Sequence, residues 1–164
     1  MKFYAGIGAR KTPVNVLDLM TQLACKLEQD GWVLRSGGAN GADTAFERGV
    51  VDPANKEIYL PWRGFNGNSS NLCNVLPAAF EMAERYHPAW NRCGPAARKF
   101  HGRNCYQMLG KALLKPSSMV VCWTPDAAVT GGTGQALRIA IDKGIEVCNM
   151  ADPDVLTRIE EYIA

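Results

Sequence analysis

Three times in 164 residues, a short apolar run ends in a glycine-rich turn and passes into a helix. The clearest case is Trp32-Val33-Leu34, which continues through Arg35 into Ser36-Gly37-Gly38-Ala39-Asn40-Gly41-Ala42-Asp43 and a short helix that Gly49 can stop. A second joins Phe3-Tyr4-Ala5, through Gly6-Ile7-Gly8-Ala9-Arg10-Lys11, to a helix that Thr12 can cap and Pro13 can start. The third joins the buried-strand pattern Met119-Val120-Val121-Cys122-Trp123 to Thr130-Gly131-Gly132-Thr133-Gly134, ahead of another helix. A turn of this kind lets backbone N–H groups approach an anion along the helix dipole. Each is therefore a candidate phosphate cradle.

The alternation around these turns predicts the fold class. Strands are expected over residues 3–7, from Trp32 into the Ser36–Asp43 turn, over 56–60 before Pro61, over 119–123 and over 145–148. Between them, Leu17, Met20, Leu23, Ala24 and Leu27 recur at three-four spacing, and Gly31 stops that helix. Further helices are expected over 78–85, from Pro95 to about Leu114, from the third turn to Gly144, and from Asp152-Pro153 onward. Strand-helix alternation implies right-handed crossovers and an α/β, Rossmann-like, doubly wound fold, with a mainly parallel central sheet flanked by helices. In such a sheet ligands bind at the carboxyl edge, where the three turns are expected to converge.

Length fits one domain over residues 1–164. A net charge of +2 does not announce a nucleic-acid binder, so the basic residues beside the turns, Arg10, Lys11 and Arg35, carry more weight than the total. No apolar run reaches membrane-spanning length and no secretory leader is read at the N-terminus, so the expected setting is cytoplasmic, with no membrane partner. The six cysteines form no C-x-x-C pair and have no histidine at zinc spacing, and are expected to be core thiols. His87 and His101 are expected to be structural, with no metal and no cofactor.

Two irregular stretches, 61–74 and 87–94, are long for a compact domain and are the candidate lid. On the helix opened by Pro95, Asn104 falls on the apolar stripe with Arg103 and His101 beside it; a polar residue there needs a partner, either a loop carbonyl or a ligand.

The candidate phosphate-binding residues are Gly8, Arg10, Arg35, Ser36, Gly37, Gly38, Ala39, Asn40, Gly41, Asp43, Thr130, Gly131, Gly132, Thr133 and Gly134. An arginine can clamp phosphate through two N–H bonds. Asp43 has two readings, a carboxylate stabilising its own helix dipole or an acceptor for a ribose hydroxyl. Trp123, Asp126, Arg103, Asn104 and Asn149 form a second rank. No catalytic constellation is read.

Ser36-Gly37-Gly38-Ala39-Asn40-Gly41-Ala42-Asp43 resembles the S-G-x-A-x-G-x-D signature of the DNA-processing protein A (DprA/Smf) family. The segment from Val120 to Gly134 resembles the P-G-G-x-G-T loop of the Lonely Guy (LOG) phosphoribohydrolases, and Gly102-Arg103-Asn104 is similar to an Ala-Arg-Asn element of small phage-type DprA-like proteins. Both families belong to the SLOG superfamily of Rossmann-like nucleotide-binding domains. The resemblance implies a nucleotide-type ligand held by its phosphates, in a homodimer or higher homo-oligomer. It further implies a binder of an ADP-ribose or cyclic ADP-ribose type signal, in a phage setting an anti-defence protein of the host cytoplasm. LOG enzymes carry a catalytic glutamate where this chain has Arg138, and a guanidinium opposes an oxocarbenium-like transition state. N-glycosidic hydrolysis is thus the alternative, requiring Asp43, Glu47 or Asp126 as carboxylate. DprA-like binding of single-stranded DNA is the other.

Overall fold

Strands that are apolar on consecutive residues need cover on both faces. The computed structural model, which describes residues 1–164, provides it. Five strands, β1 (Lys2–Gly6), β2 (Trp32–Ser36), β3 (Lys56–Ile58), β4 (Met119–Cys122) and β5 (Glu146–Asn149), form one sheet in the order β3-β2-β1-β4-β5. Every neighbouring pair is parallel, with Ala5 opposite Arg35 on one side and opposite Val120 on the other. The strand order reverses between β1 and β4.

Six helices cover the sheet: α1 (Val14–Gln29), α2 (Ala42–Gly49), α3 (Pro77–Tyr86), α4 (Pro95–Leu109), α5 (Gly131–Asp142) and α6 (Pro153–Ile163). Side-chain alternation along the strands divides the core in two. Tyr4, Leu34, Ile58 and Val121 pack with α1, α2 and α6, whereas Ala5, Val120 and Cys122 pack with α3, α4 and α5. The result is a three-layer α/β/α sandwich of the Rossmann-like class. No helix is long and apolar enough to cross a membrane.

One helix start, that of α6, carries a side-chain cap. Asp152 accepts a hydrogen bond from the Asp154 amide at 2.9 Å and so caps α6. At α1 the cap is Pro13 rather than Thr12, whose hydroxyl instead donates back to the Ala9 carbonyl at 2.6 Å. Helix α4 ends at Leu109, five residues before the expected Leu114, because Gly110 turns the chain at φ +78°. A side chain could not follow there, since a Cβ on Gly110 would lie 2.8 Å from the Arg35 guanidinium.

Candidate functional site

Because all five strands are parallel, the turns after β1, β2 and β4 leave the same edge of the sheet. Beyond their ends β1 and β4 stay paired, with Ile7 N donating to Val121 O at 3.1 Å and Ala9 N to Trp123 O at 3.0 Å. The first turn rests on the second: a Cβ on Gly8 would come within 2.6 Å of Ala42 Cβ, the first residue of α2. Gly41 reaches that close approach at φ +87°, which a side chain resists.

The second and third turns are held by consecutive residues of α4. Arg103, buried and longer than the space behind Gly37 would allow a Cβ there to share, donates to the Gly37 carbonyl and, at 3.5 Å, to that of Tyr59. Its Nε donates to Asn104 Oδ1 at 3.1 Å. Asn104 in turn directs Nδ2 to the Gly132 carbonyl at 3.4 Å and to Gln135 Oε1 at 3.3 Å. Of the two readings of Asn104, the structure supplies the loop carbonyl. Above them, Trp62, Phe65 and Phe100 meet edge to face with centroids 5.3–5.4 Å apart, and the Arg103 guanidinium lies over the rings of Phe65 and Phe100.

The two helix starts at this edge differ. At α2 the helix's own Asp43 is buried and accepts from the Ala39 amide at 3.2 Å. Burial pushes its carboxyl above the ordinary range, against the pull of Arg103 and the Ala39 amide. The bond that Asp43 makes is to an amide of its own loop, ahead of α2. Ser36 is also committed, its hydroxyl donating to Gly6 O at 2.6 Å from full burial. At α5 the first turn carries no acid, and Gly131, at φ +68°, and Gly132 are exposed with open space where a side chain would stand. The first four amides of a helix, counting that of the cap residue, have no partner within it, and here Gly134 N, bonded to Thr130 O at 2.8 Å, begins the ladder. The start of α5 is thus exposed and free of acid, whereas that of α2 carries the buried Asp43.

The structure corrects the placement of Arg35 and places three further features singled out in the sequence. Arg35 points away from the ligand edge: its guanidinium is 2% exposed, donates to Lys115 O at 2.7 Å, Ser117 Oγ at 3.2 Å and Glu57 Oε1 at 3.0 Å, and lies 4.0 Å from the Phe3 ring centre. It sits at the carbonyl end of α4, where a cation complements the dipole. Asn149 ties two strand ends together, Nδ2 donating to Thr124 Oγ1 at 2.7 Å and Oδ1 accepting from the Ala151 amide at 3.1 Å. The lid does not behave as one piece. Residues 61–74 are latched to the second turn, Asn66 Nδ2 donating to Gly38 O at 3.1 Å and Asn40 Oδ1 at 2.7 Å, whereas 87–94 folds onto α4. Finally, His87, Cys93 and His101, set apart in sequence, offer ring nitrogens and sulfur that all lie within 4.8 Å of one another.

The remaining residues divide simply. Arg10 and Asp126 are exposed at the ligand edge, Asp126 at φ +56°, and Trp123 is half-buried against the α1/α2/α6 core. Arg138 turns its guanidinium to the Tyr86 carbonyl at 3.3 Å, out of the edge altogether. Cys73, Cys105 and Cys122 are core thiols, and burial pushes Cys105 and Cys122 up to about 12; Cys25, by contrast, is exposed. A groove of about 650 Å³ runs from Gly38 and Asn40 of the turn after β2 along α2 to Lys56, with Arg48 and Asn68 on its walls. The chain matches no protein-family model, no curated protein and no solved structure.

Proposed function

We propose that this chain binds a nucleotide-type small molecule through its phosphates, seated on the open α5 turn Thr130-Gly131-Gly132-Thr133, and holds or senses that ligand without converting it. The observation that carries the reading is the exposed, acid-free start of α5 at the carboxyl edge of an all-parallel sheet. Free amides and the helix dipole both favour an anion at such a place. Arg10 is exposed at the same edge and is a second source of positive charge.

The resemblance of the sequence to SLOG domains favours a nucleotide over inorganic phosphate, and an ADP-ribose type signal within that class. Two features oppose turnover: Arg138 faces Tyr86, and Asp43 is buried on its own loop amide. The experiment is incubation of the protein with AMP, ADP, ADP-ribose and cyclic ADP-ribose, followed by denaturation and mass spectrometry. Retained and chemically unchanged ligand supports the reading. Release of free base or ribose phosphate replaces it with N-glycosidic hydrolysis, for which Asp126 is the exposed carboxylate at that edge.

A further inference from the structure

Away from the glycine turns, the stretch 87–94 leaves α3, makes a single helical turn at Trp90–Arg92 and comes back onto α4. That reversal brings His87 and Cys93 against His101, which lies one turn before Asn104 on α4. Cys93 Sγ is 3.6 Å from His87 Nε2, and the two imidazole rings are 4.4 Å apart centre to centre. His101 also has a buried Nδ1 without a hydrogen-bond partner. Imidazole and thiol donors gathered in this way need a reason.

We propose that His87, Cys93 and His101 form a binding site for a transition-metal ion of the zinc class, with three protein donors and a fourth position for water. Zinc–nitrogen and zinc–sulfur bonds of about 2.0 and 2.3 Å place N and S about 3.5 Å apart across a tetrahedral angle. The His87–Cys93 pair already has that spacing, and since all three donors lie within 4.8 Å of one another, His101 closes to the same spacing with a shift of at most about 1.5 Å. One thiolate with two imidazoles suits a borderline ion and not calcium or magnesium, which take oxygen ligands. No carboxylate joins the group, so the thiolate supplies its negative charge.

Binding has a defined cost in bonds. His87 Nδ1 accepts from the Ala89 amide at 3.0 Å, which puts the proton of the neutral ring on Nε2. When the metal takes Nε2, that proton moves to Nδ1, the Ala89 bond is given up, and the Cys93 thiol releases its proton to solvent. In return the ion cross-links an irregular loop to α4 at a point next to Gln135, which lies beside His101 and accepts from Asn104.

The test is titration of chelator-treated full-length protein with Co(II), read in the near ultraviolet and the visible. The expected result is a thiolate-to-cobalt charge-transfer band with intense four-coordinate visible bands, saturating at one ion per chain and abolished by added Zn(II). Cys93→Ser is expected to lose the charge-transfer band. His87→Gln, on the loop and outside the packed helix, is expected to weaken Co(II) binding at least 10–100-fold, the range that loss of even an outer partner costs. Circular dichroism without metal shows whether either variant is folded, and His87→Gln carries the test if Cys93→Ser is not. A weak six-coordinate spectrum, no band at all, or a band unchanged in both variants overturns the proposal; the first two leave a plain thiol–imidazole contact and the last moves the metal to another cysteine.

Discussion

Arg103 and Asn104 are neighbours on α4, yet they hold different glycine turns: Arg103 the carbonyl of Gly37, Asn104 that of Gly132. One and the same turn of helix therefore sets the distance between the loop after β2 and the start of α5. Because Arg103 Nε also donates to Asn104 Oδ1, the two side chains orient each other.

Replacing Arg103 by methionine keeps most of the apolar stem but leaves the Gly37 carbonyl and buried Asp43 without their cationic neighbour. The expected loss is roughly 3 kcal/mol, the scale of removing one member of a buried charged group. Arg103→Lys is expected to recover little of it, because one ammonium cannot reach the Gly37, Tyr59 and Asn104 oxygens in the planar fork that guanidinium provides. Urea unfolding midpoints of the two variants check this; a fully stable lysine variant would contradict it.

Arg35 separates structure from ligand binding. Its four partners lie on β1, on β3 and in the segment leading to β4, so Arg35→Met is expected to cost about 3 kcal/mol of stability. Ligand affinity, measured below the variant's melting temperature, is expected to stay within a factor of two. A large affinity loss in a folded variant would return Arg35 to the binding edge.

Asp43 gives a pH dependence whose sign follows from its surroundings. Its carboxyl is raised by burial, so between the unfolded value of about 3.9 and the higher folded value the native protein binds more protons than the unfolded chain. Stability contributed at this site therefore falls as pH rises through that window. Asp43→Asn, which can still accept from the Ala39 amide, removes this titration, so its stability relative to the wild type is expected to rise as pH is raised from about 4 through that window, on top of the fixed cost of taking the negative charge from beside Arg103. Chemical denaturation at several pH values measures the difference, and a relative stability that stays flat or falls across that window would refute the sign.

Sequence reasoning reached the fold because its signals are local. Gly31 and Gly144 adopt φ +81° and +69° directly after helices, and Asp152 bonds two residues ahead. It went wrong where the outcome depends on long-range geometry. Arg35 lies in a strand buried on both faces, where no alternation tells which way a side chain points, and its partners include residues 80 and 82 positions away. The end of α4 was hidden for the same reason, since Gly110 yields its place to that guanidinium. Ser36 and Asn149 were legible as polar groups at strand ends, but not that they are buried and bonded across to the neighbouring strand ends. The spacing His-x5-Cys-x7-His matches no finger pattern, because it is the Trp90–Arg92 turn that folds it together.

The open start of α5 can be tested by a substitution whose two effects have opposite signs. Gly132 is exposed in a first turn that carries no acid, so Gly132→Asp is expected to stabilise the fold by about 0.5–1 kcal/mol through the helix dipole and the lost glycine entropy. The same carboxylate would occupy the place proposed for phosphate. A rise in melting temperature that accompanies loss of binding separates a site effect from damage to the fold.

Isothermal titration of wild type and Gly132→Asp with AMP, ADP, ATP, ADP-ribose and cyclic ADP-ribose tests phosphate seating on α5 most directly. The account predicts saturable heat with at least one of these ligands for the wild type and none for the variant. Silence of the wild type across the panel, or equal binding by the two proteins, would contradict it.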